Sequence, residues 1–360
     1  MDVARNCFRI ILALCALICW SCSPAPDAVA RELSVWQGQT MGTTYTVKAA
    51  GAAISGPSRT QVQQAIDEQL NRVNELMSTY LPSSELSRFN ALGSSEAFPL
   101  SPETLEVFEV ARRVGTLSGG ALDVTVGPLV NAWGFGPPGK PAHAPSEADL
   151  EKLKILVGWD KIVIDESQST IRKVHPEVYC DLSAVAKGYA VDRVSETLSA
   201  LGYVEHMVEV GGEVRARGRN AEGQPWRIGV ERPLASGSMG ASVVHRAIPL
   251  ADLAMATSGD YRNYYEEEGR RISHEIDPRT ARPIEHNLAS VTVVSKRCAE
   301  ADALATALIV LGEEEGYRVA AEQNLAALFL VRQGNEFVEK ASPRFEELLA
   351  VPEVTAAGSR

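Results

Sequence analysis

Apolar residues recur at three- and four-residue intervals through Val62, Ile66, Leu70, Val73 and Met77, the spacing of one buried helix face. A second amphipathic stretch carries Leu105, Phe108, Arg112 and Leu117; Ser101-Pro102 gives a start signal and Gly119-Gly120 a stop. A third helix is predicted over Ala184–Leu201, apolar at Val185, Tyr189, Val194, Leu198 and Leu201, and a fourth over the alanine-rich run Ala299–Val310. Strand patterns lie at Gln39–Val47, Lys161–Asp165, Thr170–Val174, Met207–Val210, Val214–Arg219 and Trp226–Glu231, with Gly211-Gly212 as a hairpin turn. A proline- and glycine-rich loop runs from Gly134 to Pro145, and a mixed helix and strand tail begins at Ala254. Strands and helices do not alternate regularly, and there is no internal repeat. The expected fold is therefore α+β: one compact domain with mixed, antiparallel-rich sheets and packed helices, not a Rossmann fold.

At 360 residues, 45% apolar and 22% charged, the chain can build a substantial core, which excludes a disordered or disulfide-dense class. Its formal charge of −11 argues against a polyanion-binding surface, so no nucleic-acid partner is expected. Arg5 and Arg9 precede the short apolar run Ile10–Trp20, which reads as a secretory leader over residues 1–21. That run is too short to span a bilayer, and no later segment is apolar enough to do so. Ser21 before Cys22 resembles a bacterial lipoprotein processing site, making Cys22 the expected lipidation site. Residues 22–35 would be a tether, 36–350 the folded domain and 351–360 a tail. The expected location is the periplasmic face of a bacterial membrane. Only Cys180 and Cys298 remain as internal thiols.

Several motifs fail on context. Gly134-Phe-Gly-Pro-Pro-Gly139 satisfies G-x-G-x-x-G, but two prolines and no following helix make a poor dinucleotide fingerprint. Ser183…Lys187 is one residue too long for S-x-x-K, and no G-x-S-x-G or H-E-x-x-H is present. His143 and His245 have no evident partners. An oxygen-rich constellation survives. Asp302 and Thr306 lie one turn apart on one helix face and offer hard oxygen ligands suited to Mg²⁺, or else they decorate a solvated face. Asp181 or Ser183 can cap the third helix, whose N-terminus attracts phosphate, and Lys187 adds a charge one turn in. Ser273-His274-Glu-Ile276-Asp277-Pro278 runs from a strand into a turn.

Together these segments resemble the ApbE family, the FAD:protein FMN transferases, over roughly Met41 to Leu311. The resemblance rests on an ordered set of motifs: Met41-Gly-Thr-Thr-Tyr45, Met77-Ser-Thr-Tyr80 with Ser84–Asn90, Gly120–Val130, Trp133–Gly136, Asp181–Tyr189, Glu209–Gly212, Thr257–Tyr261, Ser273–Thr280, and Ala301-Asp302…Thr306. It implies that Met41, Tyr80, Ala121, Leu122, Asp123, Asp181, Lys187 and Ile276 line a site for the substrate FAD. It further implies Mg²⁺ on Asp302, Thr306 and the backbone carbonyl of Ala184. Some relatives carry a further acid near Ala305, whose absence leaves a metal vertex to water or pyrophosphate. The implied reaction is Mg²⁺-dependent transfer of FMN from FAD to a Ser or Thr hydroxyl of a client, with release of AMP. His274, or a metal-associated carboxylate, is the candidate base, with Asp302 as the central metal-site residue. Implied clients are flavin-carrying, NqrC/RnfG-like subunits of membrane redox complexes, reached through the membrane anchor. The alternatives are an FAD pyrophosphatase giving FMN and AMP, with the Tyr80 ring as the candidate shield against water, and a non-enzymatic, exported flavin-binding lipoprotein. Convergence of Asp181 and Asp302 would also bring Cys180 and Cys298 together as a candidate oxidisable pair.

Overall fold

The computed structural model describes residues 31–51, 56–233, 243–261, 263–267, 269–334 and 336–350. The expected leader, Cys22, most of the tether and the C-terminal tail lie outside the described residues. Eight strands form the main sheet: β1 (Leu33–Thr40), β2 (Thr43–Ala50), β3 (His206–Val210), β4 (Glu213–Arg217), β5 (Leu253–Gly259), β6 (Leu288–Ser295), β7 (Ala326–Gln333) and β8 (Glu336–Ala341). They lie side by side in chain order, each antiparallel to the next. The strand β1 begins at Leu33, inside the stretch expected to be tether.

Four helices position the site: α1 (Arg59–Met77), α2 (Pro102–Leu117), α3 (Ser183–Ala200) and α4 (Cys298–Glu322). Helix α1 opens on a reciprocal capping box between Ser58 and Gln61 and buries Val62, Ile66, Leu70, Val73 and Met77, as its period requires. Ser101 caps α2 through the Thr104 amide. The helices α3 and α4 pack on each other and on one face of the sheet.

Alternation sorts the strands between two cores. Val208, Val210, Val291, Val293, Ala327 and Phe329 face the helices. Met207, Val214, Leu328 and Leu330 face the opposite side, under the hairpin Trp226–Glu231/Val244–Leu250 and Phe345. The fold is thus one α+β domain with an antiparallel central sheet. The Gly134–Pro145 loop leads into no helix before Glu147, so the G-x-G-x-x-G match carries no dinucleotide motif.

Tight backbone turns aim residues at one end of the sheet. The β1–β2 hairpin turns through Met41 (φ 51°) and Gly42 (φ 71°), both left-handed as a type I′ turn demands. Helix α4 breaks at Gly312 (φ 82°, ψ −179°), two turns beyond Thr306. A side chain there would also meet the His286 ring at 2.9 Å.

Candidate active site

One end of the sheet opens into a cleft of about 370 Å³ beside a second recess. Ala121, Leu122, Asp123, Tyr80, Asp181, Ala184, Lys187, His274, Ile276, Asp302 and Thr306 line the first. Met41 lines the second, which shares Tyr80, Asp181 and Lys187 with the first. Every internal residue expected to bind FAD or Mg²⁺ thus lines one of these two adjoining recesses.

Asp302 is buried, and burial pushes its carboxyl up to about 7; Lys187 opposes that rise and Glu213 adds to it. Its Oδ2 accepts from the Gly188 N–H at 2.9 Å. In a regular helix that amide points back to the Ala184 carbonyl, so the contact joins the two expected metal-ligand segments. Gly188 is required by close approach: a Cβ would lie 2.4 Å from the Cys298 carbonyl oxygen and 2.8 Å from Asp302 Cβ. The Thr306 hydroxyl shares a 3.1 Å hydrogen bond with Ser258 at the end of β5.

Lys187 Nζ donates to Glu213 Oε1 at 2.6 Å. Burial works against the ammonium, but Asp302 and Glu213 outweigh it and hold its pKa above the ordinary lysine value. Glu213 Oε2 is buried without a partner. The buried Glu275 carboxyl is also raised, chiefly by desolvation. Three carboxylates against one lysine make this wall rich in oxygen and poor in positive charge.

Among the described residues, no three His, Cys, Asp or Glu side chains gather as a metal cage. One carboxylate, one hydroxyl and one main-chain carbonyl instead suit Mg²⁺, which takes few protein ligands and keeps waters. The unpartnered, buried Glu213 oxygen adds negative potential beside that set. The residues fit a hard divalent cation.

Asp181 differs from a simple cap. The N-cap position of α3 is Leu182, which makes no side-chain cap, and Asp181 Oδ1 accepts from the Ser183 amide at 2.8 Å. Asp123 Oδ1 is committed to the Thr125 amide (2.8 Å) and hydroxyl (2.6 Å), so this residue shapes the loop as well as the cleft wall. Tyr80 is 68% exposed at the mouth, its hydroxyl donating to the Phe135 carbonyl at 3.1 Å. Ile276 is buried against Trp133 and Leu129. His274 has a buried, unpartnered Nδ1, while its Nε2 lies 3.6 Å from Glu275 Oε1.

Two expectations are corrected. His245 has a partner, Glu339 Oε2 at 2.8 Å, which ties the outer hairpin to β8. Cys180 and Cys298 are free and buried, and the Cys298 thiol faces the Val214 and Met255 carbonyls; they form no disulfide. Sequence reasoning passed over Glu213, Glu275 and Ser258 as individual site residues. The signal for Glu213 was an acid directly after the Gly211-Gly212 turn, at a strand position facing inward.

The profile of the ApbE family matches residues 41–329. A Vibrio cholerae protein named FAD:protein FMN transferase is 46% identical over 313 residues, covering 87% of this chain and 92% of that protein. A Haemophilus influenzae protein of the same name is 44% identical, covering 88% and 91%. The solved flavin transferase ApbE from Vibrio cholerae superposes with a TM-score of 0.81 at 44% identity, over 88% of this chain and 99% of that one. The Pseudomonas stutzeri flavinyl transferase ApbE, apo form, gives 0.80 at 38% identity, over 88% and 97%. The chain belongs to the ApbE family.

Proposed function

We propose that this protein transfers FMN from FAD to a Ser or Thr hydroxyl of a client flavoprotein in a Mg²⁺-dependent reaction. The observation that carries the reading is convergence: residues separated by up to 265 positions in the chain, Met41 to Thr306, line two adjoining recesses that share Tyr80, Asp181 and Lys187. In the transfer, the acceptor oxygen bonds to the FMN-side phosphorus, the diphosphate bridge breaks and AMP leaves. Asp302, Thr306 and the Ala184 carbonyl would hold Mg²⁺, which when bound supplies positive charge against the diphosphate. The α3 N-terminus and Lys187, beside that set, would orient the anionic bridge. Tyr80, across the mouth, limits the approach of water.

His274 lines the cleft with its Nε2 3.6 Å from Glu275 Oε1, and its imidazole would take the proton of the incoming hydroxyl. His274→Ala should lower transfer by about 10²–10⁴-fold and change its pH profile while FAD still binds. Near-full transfer with an ordinary profile would remove His274 from that role.

The leader pattern supports export, and Ser21-Cys22 supports a lipid anchor close to membrane-bound, NqrC/RnfG-like clients. Mature protein incubated with FAD, Mg²⁺ and a candidate client tests the reading. Transfer yields AMP together with flavin fluorescence fixed to the client on a denaturing gel, and chelation of Mg²⁺ stops both. Equal AMP and free FMN would instead mark a pyrophosphatase, and bound FAD without AMP a flavin carrier.

A further inference from the structure

The expected metal donors come from two helices: Ala184 from α3, and Asp302 and Thr306 from α4. Their mutual placement therefore depends on how α3 and α4 dock. The start of α4 is unusual, because Arg297 occupies its N-cap position and makes no side-chain cap. The cap comes from the neighbouring helix. Asp192 of α3, fully buried, accepts from the Cys298 N–H through Oδ1 at 3.0 Å and from the Ala299 N–H through Oδ2 at 3.1 Å. Those amides otherwise have no partner within α4.

The carboxylate is itself held. Arg215 Nη1 lies 2.7 Å from Oδ1, and Arg297 Nε lies 3.5 Å from Oδ2. Arg215 sits on β4 two residues from Glu213, hence on the same strand face. Glu213 pairs with Lys187 and Arg215 pairs with Asp192, so β4 grips α3 at two points. One grip faces the cleft. The other fixes the residue that caps α4 one turn before Asp302.

We propose that Asp192 is a positioning residue for the divalent-cation site, acting by capping α4 across the helix interface. The inference rests on the reading that Asp302, Thr306 and the Ala184 carbonyl bind Mg²⁺. Without this cap, the first turn of α4 loses its tie to α3, and Asp302 drifts from the Gly188 amide and the Ala184 carbonyl. Partners that orient metal ligands commonly govern metal affinity by about 10–100-fold.

The test measures uptake of Mn²⁺ by the FAD-loaded protein, read from the paramagnetic resonance signal of the free ion. Asp192→Ala should weaken uptake by about 10-fold or more. Asp192→Asn, which keeps one acceptor oxygen and the side-chain shape, should lose less, and it serves as the probe if the alanine variant does not fold. Glu322→Gln changes an exposed acid at the far end of α4 that pairs with Arg318, away from the Asp192 cap, so it should bind Mn²⁺ as the parent does. FAD affinity measured in EDTA should stay unchanged in all three. Parental uptake in both Asp192 variants overturns the positioning role, as does an equal loss of FAD affinity, which would mean a general structural role. If the parent protein itself takes up no Mn²⁺, or Asp302→Ala takes up as much as the parent, the metal reading fails and this inference falls with it.

Discussion

Asp302→Asn is expected to abolish FMN transfer, by at least about 10³-fold, because it removes the only side-chain carboxylate of the expected Mg²⁺ set. The same substitution should stabilise the metal-free protein at alkaline pH. Burial raises the Asp302 carboxyl to about 7, against an ordinary carboxyl value near 3.8 in the unfolded chain. Between those values the folded chain holds a proton that the unfolded chain has released, so stability falls as pH rises through the window. Above about 7 the ionised carboxylate carries its full burial penalty. Urea denaturation in EDTA should therefore show Asp302→Asn more stable than the parent at pH 8, with the gap closing toward pH 4. Binding of a cation needs the ionised form, so the Mg²⁺ concentration for half-maximal transfer should rise as pH drops from 8 to 6. A requirement that is flat over that range, with active Asp302→Asn, would remove Asp302 from the metal site.

Gly188→Ala should have the next largest effect. Alanine is the better helix former by about 1 kcal/mol, so local propensity alone predicts a gain. The added Cβ would instead meet the Cys298 carbonyl at 2.4 Å and its carbon at 2.6 Å, both backbone atoms that cannot swing aside. The helices must separate, at an overpacking cost of about 1–3 kcal/mol. Separation also parts Ala184 from Asp302 and Thr306, and misplacement on the order of 1 Å costs about 10²-fold in rate. Denaturant midpoints and transfer at saturating FAD and Mg²⁺ measure the two effects. A stable, fully active alanine variant would show that this helix contact does not control the site.

Much of the fold was legible along the chain. The periods of α1, α2 and α3 were readable because burial on one side of a helix leaves a three- and four-residue mark. The hairpin at Gly211-Gly212 was readable because only a left-handed turn joins the strands there. Asp302 and Thr306 could be placed on one face from helix geometry alone, and the G-x-G-x-x-G match could be set aside because two prolines interrupt it and no helix opens directly from it. The partners of these residues left no such mark. Lys173, within the strand pattern Thr170–Val174, is buried and donates to the carbonyls of Asn90, Leu92 and Pro176, the first two set by the fold and not by its neighbours in the chain. His245 looked unpaired because Glu339 lies 94 residues away.

By itself, then, the order of residues determined which segments coil or extend, which faces are apolar, and which oxygen and nitrogen groups could serve phosphate chemistry, since those properties depend on neighbours within a few positions. Tertiary structure alone decided that the Gly188 amide meets Asp302, that Asp192 rather than Arg297 caps α4, and that Glu213 stands beside Lys187. These contacts join residues 114, 106 and 26 positions apart. The charge state of Asp302 follows from them, because a carboxyl's affinity for its proton depends on the water and charges around it in space, whatever their distance along the chain.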